Sequence, residues 1–204
     1  ARREWTFGGR PRKQVAVLME TAQRLAEQGQ WSRDGNNGLY TRAGYQRLMG
    51  LVSLLCDAGH SVSLISEREL ESGEASGYPV IIVPDLYQKL QEKTWNDLTA
   101  YAEAGGSLVL TGRATKALYG YDEVKEPTVF KTGKGTVAVY PGEMSTSYMN
   151  ARISWDRKNF SDFLLTLYDP EVRLVSAAGL VEIVDFEKDG RMMVELVNVN
   201  GNHY

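Results

Sequence analysis

Three charged residues stand where an α/β protein gathers a ligand. Glu20 directly follows the apolar run Val15 to Met19, Asp85 lies two residues past Val83, and Arg113 lies two residues past Thr111. If those runs are parallel strands, all three residues fall at strand C-terminal ends, the edge where open α/β sheets bind ligands. Two carboxylates facing one sugar bond could hydrolyse it, one as acid and the other as base or nucleophile. An arginine beside them would hold a polar or sugar ligand. The ordinary alternative is that strand-end acids cap loops and helices and pair with a nearby arginine. Aromatic rings are the second resource. Trp31, Tyr40 and Tyr45 lie in or beside a long polar segment over 21–43, and Tyr148 and Trp155 lie in or beside the stretch 143–150, read as a loop. Exposed, such rings stack on sugars or anchor an interface; folded inward, they are core.

Other chemistries lack their residues. A Cys nucleophile needs a sharp strand-to-helix turn with His and an acid nearby, and the turn after strand 107–111 reads Thr111-Gly112-Arg113-Ala114-Thr115. Cys56, the single cysteine, falls on the apolar face of a helix and is expected as a small buried hydrophobe. His60, in Ala-Gly-His-Ser-Val, sits where a helix ends and a strand begins, so it is expected to cap that helix as a cation. His203 lies in the terminal segment. With two histidines and one cysteine, neither a triad nor a zinc site is expected. The segment after the first run, Glu20-Thr21-Ala22-Gln23-Arg24, opens without a phosphate-cradling turn, and no G-x-G-x-x-G or Walker A motif occurs. No cofactor or metal is expected.

The elements that position these residues follow from periodicity. Val15 to Met19 suits a buried strand; Tyr45, Leu48, Met49, Val52, Leu55 and Cys56 repeat at helical spacing, with Leu51 and Leu54 widening the stripe and Gly59 in the C-terminal cap position. Strands are predicted over 61–65, 78–84 (with core 80–83) and 107–111, with a helix carrying Trp95, Leu98, Tyr101 and Ala102 that closes at Gly105-Gly106. Val80-Ile81-Ile82-Val83 is apolar without alternation, the mark of a strand covered on both faces. Alternating strands and helices predict a doubly wound, mostly parallel sheet of flavodoxin-like order with helices on both faces. After residue 113 the pattern changes: a hairpin over Val129 to Lys131 and Thr136 to Tyr140, a helix with Phe160, Phe163, Leu164 and Leu167, then strands 172–175, 181–186 and 192–199 around the Asp189-Gly190 turn. The expected division is an α/β domain over 1–169 and a β-rich C-terminal extension over 170–204. The first fourteen residues, with five arginines and lysines, read as an exposed lead-in or the end of a linker.

Composition supports a globular protein: of 204 residues, 43% are hydrophobic and 24% charged. A net charge of −3 without clustered Lys and Arg argues against nucleic acid. No apolar stretch approaches the roughly 20 residues of a membrane helix, and no basic-then-apolar leader opens the chain, which favours the cytoplasm. The chain starts at Ala1 without Met, as a processed or excised piece would.

Larger motifs add a resemblance. Tyr78-Pro-Val-Ile-Ile-Val-Pro-Asp-Leu-Tyr87, followed by a helix ending Tyr101-Ala-Glu-Ala-Gly-Gly-Ser-Leu-Val-Leu-Thr-Gly112, resembles the class I glutamine-amidotransferase-like domain attached to bacterial glycoside hydrolases. In family forty-two β-galactosidases that domain is called the trimerisation domain. It shares "Y-x-V-V-V-P-x-L-Y", a helix, then "Y-V-x-x-G-G-x-L-V". Gly133-Lys-Gly-Thr-Val-Ala-Val-Tyr-Pro-Gly142 is similar to its "G-K-G-x-V" hairpin, and Met193-Val-Glu-Leu-Val-Asn-Val-Asn200 resembles the late "H-L-V-N" strand. The likeness runs over roughly residues 14 to 200, without the amidotransferase nucleophile. It implies a non-catalytic accessory or oligomerisation domain whose partners are its own copies or other domains of a larger enzyme acting on carbohydrates, with the chemistry on a separate barrel. The alternative is a binding or hydrolytic role for the crevice of Glu20, Asp85 and Arg113.

Overall fold

The computed structural model describes residues 7–19, 42–84, 90–112, 124–175 and 180–198. In chain order these form β1 (Arg10–Pro11), β2 (Val15–Met19), α1 (Arg42–Asp57), β3 (Val62–Ser66), α2 (Glu67–Glu71), a 3₁₀ turn (Glu74–Gly77), β4 (Val80–Val83), α3 (Glu92–Ala104), β5 (Ser107–Thr111), β6 (Thr128–Thr132), β7 (Gly135–Tyr140), α4 (Met144–Ala151), α5 (Ser154–Leu164), β8 (Val181–Lys188) and β9 (Arg191–Asn198). Six strands make a largely parallel sheet in the order β3-β2-β4-β5-β7-β6, with only β6 antiparallel. A separate antiparallel sheet has the order β1-β8-β9.

Both faces of the large sheet are covered, which explains the unbroken apolar runs. Val15, Val17, Val80, Ile82 and Val109 pack with Leu51, Leu54 and Leu55 of α1, Tyr148 of α4 and Phe160 and Leu164 of α5. Their chain neighbours Ala16, Leu18, Ile81, Val83, Leu108 and Leu110 point the other way, toward Leu70 of α2 and Leu98 and Ala102 of α3. Strand alternation alone thus splits each run between two cores.

Helix α1 ends as its sequence predicts. Gly59 takes φ 79°, its N–H donates to the Cys56 carbonyl (2.9 Å), and the His60 N–H donates to the Leu55 carbonyl (3.0 Å). These are the two bonds of a Schellman motif, and they fix where His60 points.

Three expectations change. Residues 143–150, read as a loop, are mostly helix α4, whose Met144, Ser145 and Tyr148 are buried. Ser and Thr lower its intrinsic helix preference, so packing against α1 decides the matter. The expected strand over 172–175 is absent: no strand pairs with it, and Val175 is 92% exposed. The lead-in is not all exposed linker. Arg10 and Pro11 pair with Glu187 and Phe186 of β8, and Gln14 is buried. The connection between β3 and β4 holds α2, closed by a capping box in which the Ser66 N–H donates to Glu69 at 2.8 Å.

Candidate functional site

Strands β2, β4 and β5 are adjacent and parallel, so their C-terminal ends leave from one edge of the sheet. The register pairs Val17 with Ile82, which sets the ends of β2 and β4 level. From β2 the chain turns to β3 on one side and then to β4 on the other, so the strand order reverses between β2 and β4. Glu20, Asp85 and Arg113 lie just past these strands, outside the described residues, as do Trp31, Tyr40 and His203. The described part of the edge is held together by the Gly112 N–H, which donates to the Gly142 carbonyl across the ends of β5 and β7 (3.0 Å).

The remaining aromatics separate sharply. Tyr148 is 1% exposed and its hydroxyl donates to Asp57 Oδ2 at 2.7 Å, with Arg152 adding a contact at 3.4 Å. It is a core residue rather than a platform, because α4 turns it beneath α1. Burial and the Asp57 carboxylate raise its phenol to about 12. Trp155, on the first turn of α5, is 67% exposed. It borders a groove of about 430 Å³ whose walls carry Asp57, Arg157, Ser161 and Asp162. The Tyr45 side chain lies outside the description.

Local pattern could not reveal the polar network behind that groove. His60 is 5% exposed; one ring nitrogen, Nδ1, meets the Tyr168 hydroxyl at 2.7 Å, and the other, Nε2, meets Ser161 Oγ at 2.9 Å. The sequence expectation of a cationic cap is corrected here. Burial, with Arg173 adding repulsion, lowers the imidazole to about 4, so it is neutral at pH 7. The partners are 101 and 108 residues away, and no spacing rule links them. Ser161 lies in the middle of α5, not on a strand-to-helix turn, and Tyr168 supplies no charge to steady an imidazolium. A serine nucleophile therefore lacks its supports here.

Cys56 is half-buried, and burial with Glu182 and Asp57 nearby raises its thiol to about 11. It stays protonated at neutral pH and is a poor nucleophile. A second cleft, about 670 Å³, opens at the seam of the two sheets between Arg10, Arg12 and Lys13 on one wall and Asp169, Glu171 and Glu187 on the other. Arg12 pairs with Glu171, and the Gln14 amide donates to buried Asp185 at 2.7 Å. Arg12 of this cleft also approaches Asp185 of β8 at 3.8 Å, so that charge helps hold the small sheet to the chain before β2. Among the described residues no group of three His, Cys, Asp or Glu could hold a metal ion, and no helix is long and apolar enough to cross a membrane.

The His60 network carries a pH prediction. An unfolded imidazole binds its proton near pH 6.5, the buried one only near 4, so the unfolded state holds more protons between those values. Stability is full above pH 6.5 and falls as pH drops toward 4, by up to about 2–3 kcal/mol. Urea midpoints at pH 7 and pH 5 should differ, and the difference should shrink in His60→Gln. An unchanged slope in that variant would place the titration elsewhere.

No family model matches the chain, and no curated protein matches it. Solved structures do. An α-L-fucosidase isoenzyme 2 from Paenibacillus thiaminolyticus aligns over 98% of this chain with a TM-score of 0.69 at 13% identity. A β-galactosidase from Bacillus circulans sp. alkalophilus aligns over 95% with a TM-score of 0.61 at 13% identity. A GH42 β-galactosidase from G. stearothermophilus aligns over 88% with a TM-score of 0.58 at 14% identity. This chain spans only 40%, 36% and 34% of those three proteins, respectively. At such identities the likeness is one of fold.

Proposed function

We propose that this chain is a non-catalytic accessory domain, of the oligomerisation type, from a bacterial glycoside hydrolase that acts on carbohydrates. The observation that carries this reading is the asymmetry of coverage: nearly the whole chain aligns to 40% or less of three glycoside hydrolases. The parallel strands run in the order second-first-third-fourth-fifth, which supports the flavodoxin-like reading. Together with the Tyr78–Tyr87 and Tyr101–Gly112 phrases, that order supports a class I glutamine-amidotransferase-like scaffold without its nucleophile. The working division is 1–169 for this scaffold and 170–204 for the β-rich extension, with Arg10–Pro11 lending the extension a strand.

A second reading has its own support. The reversal of strand order between β2 and β4 is where open α/β sheets take ligands, and Glu20 and Asp85 follow those strands. In that reading, Glu20, Asp85 and Arg113 would meet a small polar ligand or sugar.

Light scattering separates the two. Association gives a mass above the 22.8 kDa of one chain, rising with concentration. Trp155→Ala is expected to leave the unfolding free energy within about 0.5 kcal/mol of the parent, since exposed positions tolerate substitution. A 22.8 kDa species at every concentration, with a mass or midpoint that responds to an oligosaccharide and loses that response in Asp85→Asn, would favour the crevice.

A further inference from the structure

The groove beside Trp155 holds about 430 Å³, a volume within the range of small-molecule sites. One face of α5 forms its length, where Trp155, Arg157, Lys158, Ser161 and Asp162 recur at steps of three and four. Asp57, at the C-terminal end of α1, forms the facing wall, and Leu174 and Leu180 add apolar surface. From Asp57 the chain passes directly into β3, whose first residue, Val62, pairs with Val15 at the start of β2. The groove therefore lies at the opposite edge of the parallel sheet from the strand ends that Glu20, Asp85 and Arg113 follow.

Its polar groups are held in place by the domain behind them. The Asp57 side chain is only 6% exposed, and the Tyr148 hydroxyl and Arg152 both hold it through Oδ2. A carboxylate offers several acceptor sites, so Asp57 retains capacity toward the groove. Ser161 Oγ is fixed by His60 Nε2 at 2.9 Å, and His60 in turn by Tyr168 on Nδ1. Whichever imidazole nitrogen carries the proton, a hydroxyl in that position has a further bond to make. Asp162 pairs with Lys158 along α5, and Arg157 reaches the Tyr148 hydroxyl with part of its donor fork. These partners orient the groove's donors and acceptors without exhausting them.

We propose that this groove binds a neutral saccharide, stacked on Trp155 with its hydroxyls bonded by Asp57, Arg157, Ser161 and Asp162. The class of ligand follows from three features of the walls. Two acids and two bases line them, so no net charge selects an anion or a cation. An apolar ligand would strip water from those four charges and return no hydrogen bonds. Trp155, 67% exposed, supplies a large flat ring whose face is negative, and the C–H face of a pyranose is its complement. A sugar alone joins such a face to a rim of hydroxyls that both donate and accept. The site binds without reacting, since Ser161 lacks the supports of a nucleophile. It goes beyond the accessory reading above and holds whether or not copies of the chain associate.

Saturation-transfer NMR on the 204-residue chain tests this, with lactose, cellobiose, xylobiose and mannobiose as neutral probes and glucuronic acid and glucosamine as charged ones. At least one neutral disaccharide should bind, with saturation strongest on the C–H protons of one ring face. Trp155→Ala should weaken that binding roughly tenfold or more, and Trp155→Phe should restore part of it. Asp162→Asn should weaken it as well, while the thermal midpoints of all three variants without sugar stay at the parent's, because both positions are exposed or half-buried on α5. Binding that survives Trp155→Ala and is lost in Asp85→Asn would overturn the groove and move the sugar to the other edge of the sheet. Binding of the charged probes alone, or of none, would overturn it while leaving the accessory reading intact. A solution mass that falls in Trp155→Ala, with no sugar bound by the parent, would overturn it by making the ring a protein contact.

Discussion

Ile82→Ala is expected to cost about 2–5 kcal/mol, enough to threaten folding of a domain this size. Ile82 is fully buried in β4, the third of six strands, and packs in the cluster that joins β2 and β5 to α1 and α5. Its neighbours across the register, Val17 and Val109, are strand residues that cannot swing in to fill the space. The loss should appear as a lower urea midpoint with an unchanged slope. A midpoint equal to the parent's would mean that β4 lies at an edge of the sheet.

Gly50→Ala is the second large effect, and its sign is decided by magnitude. An alanine in a helix interior gains about 1 kcal/mol over glycine from propensity alone. At Gly50, however, a Cβ would stand 1.9 Å from the Ser145 carbonyl oxygen and 2.8 Å from its carbon. Backbone cannot yield as a flexible side-chain tip does, so α1 and α4 must move apart. Overpacking of this kind costs about 1–3 kcal/mol or more, and Tyr148, one turn along α4, would lose its fit over Asp57. A net loss of about 2 kcal/mol is expected by thermal or chemical denaturation. A stabilised variant would show that α4 does not sit on α1.

These two residues mark how far the sequence could be read. Ile82 lies in an unbroken apolar run, and such runs between helical stripes say both strand and covered faces. The hairpin at Asp189-Gly190 and the cap at Gly59 were equally readable, because each needs a positive φ that few residues accept. Gly50 was not. Within α1 it reads as a mild defect, and its reason, the carbonyl of a residue 95 positions later, exists only in three dimensions. Helix α4 was hidden for the same reason, its Ser and Thr giving no local signal while α1 supplies the packing. The candidate site was partly legible. Strand ends and their common edge follow from topology, whereas the burial of Tyr148 and the bonds of His60 to Ser161 and Tyr168 depend on contacts about a hundred residues apart. Trp155 and Tyr148 have similar sequence surroundings and opposite fates, because helix phase, not residue type, decides which ring faces water.

The central proposal is a domain that serves carbohydrate chemistry without performing it. Its most direct measurement is hydrolysis of a panel of aryl glycosides by the 204-residue chain alone and by the product of the complete reading frame that encodes it. The expected result is no turnover by the chain and turnover by a longer product carrying a catalytic barrel. Hydrolysis by the chain alone, lost in Glu20→Gln or Asp85→Asn, would contradict it and move the chemistry to the edge of the parallel sheet.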